Sequence, residues 1–273
     1  MRATLFLIPL LLSSAGCSSQ ADYARETGVQ GKFAATAIAT GDAEAAAFTD
    51  NVKRDDAERE FSYKWPAQVS AQPELVKQLT ADRDKTLAQE KAEWEAAIKD
   101  CPADAAPCRN RSYAMEWKVV ADTPRFLSLS GDFSSYTGGA HGMYGLRSLV
   151  WDKTAKKGVD GAALFRSPAA LDAALGPKLC AALNAERARK RGAPVDPNAP
   201  DEFGTGFDQC QKIEDATVLV GSSNGRAFDR IGVWFGPYVA GPYAEGAYEL
   251  NFPVDAAVLR AVNPEYASAF AAR

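Results

Sequence analysis

His141 is the only histidine in the chain, and this bounds the chemistry available to it. A metal site built from several imidazoles is excluded. A nucleophilic triad would need His141 to meet a serine, with Ser134 and Ser135 nearest in sequence, and a third group to orient the ring. No nucleophile elbow of the G-x-S-x-G kind and no Gly-rich phosphate loop are read in the chain. Glu116, Asp132, Asp152 and Glu245 are the carboxylates available for cutting a glycan. That work needs two of them about 5–9 Å apart across a cleft, which spacing along the chain does not show. Isolated carboxylates on strands read first as solvated. The acidic, turn-rich segment Asp196 to Glu202 lacks the calcium-loop pattern. The cysteine spacings do not suit zinc. No cofactor and no metal are expected, and the chain is read as a non-enzyme.

Tyr136, Tyr144, Tyr238 and Tyr243 carry more information. They stand beside glycines and prolines, where rigid loops present rings at low entropy cost, as protein and glycan surfaces require. With His141 they form a candidate binding surface. For His141 the plainest role is a ring bonded to loop backbone. Glu245 is either an anion presented to a basic partner or the group that satisfies its own glycine-bounded turn.

The elements that must position these residues follow from pattern. Glu60 to Pro66 alternates aromatic and polar residues and reads as a strand stopped by proline. Pro73 opens a helix to about Asp100, with Leu75, Val76, Leu79, Leu87, Trp94 and Ile98 as its apolar positions. Strands are expected at 112–120, 126–136 and 144–151. Thr137-Gly138-Gly139-Ala140-His141-Gly142 is a shaped hairpin connection between the last two. Helices are expected at 169–175 and 178–190, then strands at 216–220 and 228–235 joined through Ser223-Asn224-Gly225. A final strand at 247–252 leads into a helix at 255–261. From 30 to 49 the alanine-rich chain reads as a weak helix or linker, and 53–60 as a charged run. The fold class is α+β, a mixed two-part arrangement of antiparallel strands packed with helices.

The N-terminus carries an address. Arg2 precedes the apolar run Leu5 to Leu12, too short for a bilayer that needs about 20 residues. Ser13-Ser14-Ala15-Gly16-Cys17 then resembles a lipobox, so residues 1–16 are a signal peptide and Cys17 is lipidated. If the host has two membranes, Ser18 directs the protein to the periplasmic face of the outer membrane. Loss of Arg2 with the leader leaves a net charge of −5, no basic footprint for nucleic acid. Four further cysteines, Cys101, Cys108, Cys180 and Cys210, fit an oxidising compartment. Four allow three pairings. Locality favours Cys101–Cys108 and Cys180–Cys210. The expected divisions are 1–16, a tether or weak helix at 17–50, a small α/β part at 51–109 and a larger one at 110–273.

Tyr136 to Gly142, followed by Leu146 to Asp152 and Ala163-Leu164-Phe165, and later Val233 to Gly246 with its Pro-Tyr-Ala-Glu-Gly close, resemble an uncharacterised domain family. That family is shared by the extracellular domain of the lysozyme-sensing anti-sigma factor and the non-catalytic N-terminal region of a peptidoglycan deacetylase. The likeness covers roughly 110–260, and residues 50–109 match the smaller part that often precedes it. It implies a mixed α/β architecture likened to a subdomain of the heat-shock ATPase, without ATP use. It also implies a recognition module for lysozyme or cell-wall glycan, held at the membrane. The chain has neither the anti-sigma factor's sigma-binding segment nor the deacetylase's metal-binding domain. Two alternatives stay open: a cell-wall hydrolase or deacetylase-like enzyme using His141 with a serine or carboxylate, and a structural envelope protein.

Overall fold

The computed structural model describes residues 43–273 except 55, 103 and 197–203. The leader, Cys17, most of the tether and most of the acidic segment 196–202 lie outside the described residues. A seven-stranded sheet holds β1 (Ala46–Thr49), β2 (Val52–Arg54), β3 (Ala57–Trp65), β4 (Arg111–Asp122), β5 (Phe126–Tyr136), β6 (Met143–Asp152) and β7 (Lys157–Val159). Their order is β1-β3-β4-β5-β6-β7, with β2 also on β3, so the sheet draws strands from both sides of residue 109. β3 and β4 are parallel, and the other neighbours are antiparallel. A parallel pair needs a long crossover, supplied by helix α1 (Pro73–Asp100).

Alternation builds this layer. In β3, Ala57, Arg59, Phe61, Tyr63 and Trp65 point inward while Glu60 and Lys64 are exposed. α1 starts with proline in its first turn and buries Leu75, Leu79, Leu87 and Trp94 at helical spacing. Leu75, Leu79 and Leu87 meet Phe61, Tyr63, Met115, Trp117, Leu129 and Trp151 on one sheet face. A side chain such as the fully buried Leu75 contributes about 1.5–3 kcal/mol.

Two stretches depart from the sequence expectation. Ala46–Thr49, at the end of the expected weak helix or linker, is an edge strand paired with β3 from Ala46↔Trp65 to Thr49↔Ser62. The open edge of β3 and the edge-on contact of Phe48 with Phe61 (6.2 Å) outweigh alanine's helix preference. The charged run 53–60 enters β2 and β3, where pairing from Val52↔Arg59 to Arg54↔Ala57 forms a short hairpin.

Arg59 is buried, and its guanidinium bonds both the carbonyl (3.0 Å) and the carboxylate of Asp50. Lys91 adds a contact to the same carboxylate at 2.7 Å. Hydrogen bonds from Lys91, then Arg59, hold the Asp50 carboxyl below its ordinary value. A depressed carboxyl stabilises the fold fully above its unfolded value of about 4, and that contribution is lost as pH falls through the folded value. Asp50→Asn removes this linkage. Its unfolding free energy should therefore fall less than that of wild type between about pH 5 and pH 2, as urea titrations at each pH would show.

The second sheet, β8 (Thr217–Gly221), β9 (Arg230–Phe235) and β10 (Tyr248–Pro253), is antiparallel in the order β10-β9-β8. The Asn-Gly turn read from sequence lies in the β8–β9 connection, with Gly225 at φ 67°. One face of this sheet shares a core with α2 (Pro168–Leu175), α3 (Pro177–Arg191) and α4 (Ala256–Ala261). Ser167 caps α2 through the Ala170 amide at 3.0 Å, and Gly192 ends α3 at φ 71°. Ala121, Phe126 and Val150 of the first sheet join that core, and β8 lies along the first sheet. Thr217 Oγ1 donates to the Leu146 carbonyl (2.9 Å), and a methyl added at Gly161 would meet the Val218 carbonyl.

Candidate functional site

The β5–β6 connection rests on the first disulfide loop. Gly138 and Gly139 have φ of 101° and 94°, open to glycine alone at low cost. A Cβ at Gly138 would lie 2.8 Å from the Pro107 carbonyl oxygen, inside the loop closed by Cys101–Cys108. The Tyr136 hydroxyl donates to the Gly139 carbonyl at 3.0 Å and braces the turn. This places His141 at the exposed tip.

The β9–β10 loop, residues 236–247, meets that tip. Tyr243 is the hub. Its ring stacks on His141 with centroids 3.9 Å apart and planes 18° from parallel. Tyr144 approaches it edge-on at 6.2 Å, and Tyr238 lies tilted at 5.7 Å. The Tyr243 hydroxyl donates to the Gly142 carbonyl at 2.8 Å, and the Ala247 amide donates to the Tyr144 hydroxyl at 3.0 Å. Four of the rings expected from sequence thus converge across about 100 residues of chain. Tyr136 supports the turn instead of joining the cluster by ring contact. Tyr238 stands at φ 65° and is 49% exposed. A bulky residue in the left-handed region costs about 1–2 kcal/mol. Here that strain holds a tyrosine out toward solvent.

Three cations at the end of α3 hold the loop from beneath. Arg187 donates to the Ala240 carbonyl at 3.0 Å. Lys190 donates to the carbonyls of Glu245 (2.7 Å) and Ala247 (2.5 Å). Arg191 grips the Glu245 carboxylate at 2.8 and 3.1 Å and also pairs with Asp208 at 2.5 Å. The Tyr248 hydroxyl takes the other side of Glu245. Of the two roles weighed for Glu245, the geometry is that of a loop anchor, with its side chain only 18% exposed.

The arrangement can be tested for catalysis. His141 Nδ1 lies 2.9 Å from the Gly142 carbonyl and Nε2 lies 3.4 Å from the Tyr238 hydroxyl. Its contacts are therefore a carbonyl and a phenol. The letters G-x-S-x-G do occur, at Gly221-Ser222-Ser223-Asn224-Gly225, which corrects the sequence reading. They sit in the β8–β9 hairpin and not on a strand-to-helix elbow, and Ser223 is bonded to Asp229 through its amide (2.9 Å) and its hydroxyl. Glu116 and Asp132 are register partners bridged by Lys118 at 3.4 and 3.0 Å. Burial pushes the Asp152 carboxyl up, but hydrogen bonds from Arg125 and the amides of Ala155 and Thr154 bring it below its ordinary value. Among the described residues no group of three or more His, Cys, Asp and Glu is placed to hold a metal ion. No helix there is long and apolar enough to cross a membrane. Cys180 and Cys210 form the second disulfide.

Arg187, Lys190 and Arg191, which hold the loop, were missed by sequence reasoning. Basic residues in the last turn of a helix read first as partners of the helix dipole, and only the fold shows that Lys190 and Arg191 reach the β9–β10 loop.

Residues 52–144, about a third of the chain, match the family described as "Deacetylase PdaC". Among solved structures the chain is similar to a DUF3298 family member from Bacteroides fragilis, with 15% identity over 78% of this chain and 91% of that one and a TM-score of 0.44. It is also similar to a DUF3298 family protein from Pseudomonas aeruginosa, with 15% identity over 85% and 98% and a TM-score of 0.45. No curated protein matches the chain.

Proposed function

We propose that this chain is a non-catalytic recognition module of the cell envelope, tethered by lipid at Cys17, that binds a lysozyme-like protein or cell-wall glycan. The observation that carries it is the exposed convergence of His141, Tyr144, Tyr238 and Tyr243, with Tyr238 held outward at a conformational cost. Rings fixed in advance lose little entropy on binding. The net charge of −5 left by removal of the leader favours encounter with a basic partner. Two disulfides suit an oxidising compartment. The two contacts of the His141 ring nitrogens favour a structural part for that residue over a catalytic one.

The test uses the full chain in detergent, with calorimetry against lysozyme and sedimentation with insoluble cell-wall sacculi. Binding of at least one is expected, weakened about tenfold or more by Tyr238→Ala with Tyr243→Ala. No binding to either, or binding indifferent to both substitutions, overturns the reading. For the tether, wild type is expected in the membrane fraction and Cys17→Ala in the soluble one. Identical partition of the two removes the lipid anchor.

A further inference from the structure

The two sulfurs of the Cys180–Cys210 bridge stand in unlike surroundings. Cys210 is exposed and Cys180 half-buried. Cys180 is the fourth residue of α3, inside its first turn, where the helix dipole favours negative charge. One turn on, the Asn184 side-chain amide donates to Cys180 Sγ at 3.6 Å. The Asn184 oxygen accepts from Arg187 at 2.8 Å, so a buried guanidinium polarises the amide that faces the sulfur. A thiolate at Cys180 therefore meets a donor, a cation behind that donor and a helix N-terminus.

The Cys101–Cys108 bridge has the opposite setting. Cys101 follows the last turn of α1, at the negative end of that helix. The Ala105 carbonyl oxygen lies 3.3 Å from Cys101 Sγ and 3.2 Å from Cys108 Sγ. A lone pair so placed favours a thiol over a thiolate on either sulfur. The nearby Arg109 guanidinium is taken by the Ile98 and Cys101 carbonyls and by Asp56.

From the longer bridge a line of contacts runs to the rings. Asp208, two residues before Cys210, meets Arg187 through its carbonyl at 3.2 Å and Arg191 through its carboxylate at 2.5 Å. Arg187 also holds the Ala240 carbonyl, and Arg191 holds Glu245, the end of the turn that begins with Tyr243. Tyr243 in turn stacks on His141.

We propose that Cys180–Cys210 is a thiol-exchange site at which a small dithiol loosens the ring platform. A thiolate of the dithiol attacks the exposed Cys210 Sγ. A bond forms between those two sulfurs, the Cys180–Cys210 bond breaks, and its electron pair leaves on Cys180. The second thiol of the reductant, once deprotonated, displaces Cys210 from the mixed disulfide. The dithiol is oxidised to its own internal disulfide, the bridge is reduced, and the two protons lost by the dithiol end on Cys180 and Cys210. A better stabilised thiolate leaves faster. This directs attack to Cys210 and selects this bridge over Cys101–Cys108. Once the bridge is cut, Asp208 has no covalent tie to α3, and Arg187 and Arg191 hold Ala240 and Glu245 less firmly. The coupling needs no bound ligand.

The probe is dithiothreitol, added in limiting amounts to the full chain in detergent, followed by alkylation and peptide mapping. Cys180 and Cys210 are expected to be labelled ahead of Cys101 and Cys108. With glutathione in its place, the mixed disulfide is expected on Cys210. Asn184→Asp keeps an oxygen for Arg187 and removes the donor to sulfur, and should slow the reduction about fivefold or more, the worth of one neutral hydrogen bond. His141 is the only histidine, so its imidazole protons report the platform directly by NMR, shifted by the stacked Tyr243 ring. Their signals should move when Cys180–Cys210 is reduced and return on reoxidation, while the emission of the buried Trp94, Trp117 and Trp151 stays unchanged. Cys180→Ser with Cys210→Ser should show the moved signals without reductant. If that variant does not fold, the reversible titration of wild type decides alone. Earlier reduction of Cys101–Cys108, a mixed disulfide on Cys180, or His141 signals unmoved after the bridge is cut would each overturn the proposal. So would a shift of the indole emission to that of the unfolded chain, since the bridge would then hold the whole fold and not the platform.

Discussion

Arg187→Ala is expected to cost about 3–5 kcal/mol of stability and to loosen the loop that presents Tyr238 and Tyr243. The Arg187 side chain is wholly buried. It bonds the Ala240 carbonyl at 3.0 Å, the Asp208 carbonyl at 3.2 Å and the Asn184 side chain at 2.8 Å. Truncation leaves two backbone carbonyls without that donor, each at about 1–3 kcal/mol, and opens a cavity at the end of α3. Against this stands relief of the desolvation that lowers the Arg187 pKa, so the net is less than the sum of losses. Arg187→Met keeps most of the volume and should cost less than the alanine variant. Urea midpoints of both would measure this, with ligand binding read in the same proteins. A loss below about 1 kcal/mol for the alanine variant, within the usual range of a surface change, would show that the loop is held by Lys190 and Arg191 alone.

Removing the Cys180–Cys210 bridge by the double change to alanine should cost about 3–4 kcal/mol, and removing Cys101–Cys108 about 2–3. The difference follows from sequence separations of 30 and 7, since the longer cross-link removes more freedom from the unfolded chain. The longer bridge also fixes Asp208, two residues before Cys210, where both Arg187 and Arg191 need it. Denaturant titration of the two double variants, each against wild type without reductant, would rank them. Equal losses, or the reverse order, would mean that native contacts and not chain entropy set the contribution of each bridge.

Much of the frame was legible. α1 runs from Pro73 to Asp100 as the proline and the apolar spacing require, and β5 covers the expected 126–136, where the sequence alternates large apolar with small polar residues although Phe126 to Gly131 are all buried. β1 and β2 were not legible. Four and three residues are too few for a period to show, and their strand state comes from pairing with β3. The ring cluster was visible as tyrosines framed by glycine and proline, but its convergence depends on contacts between β5–β6 and β9–β10 that no local pattern encodes. Glu245 illustrates the limit. Its own turn suggested two roles, and the partner that decides between them, Arg191, is 54 residues away. The G-x-S-x-G letters show the converse, a motif whose meaning depends on the elements around it.

The order of the first sheet bears on how the chain folds. β4, β5 and β6 form a consecutive meander whose connections are short, so its pairings close cheaply. β3 joins β4 in parallel only after the whole of α1 has been spanned, and the second sheet follows at the far end of the chain. The meander is expected to form early and the β9–β10 loop late, a sequence open to φ-value measurement. His141 and Tyr144 therefore reach their places before Tyr238 and Tyr243 arrive. A partly synthesised or partly unfolded chain displays half a platform, so the binding proposed for this face would serve as a readout of completed folding.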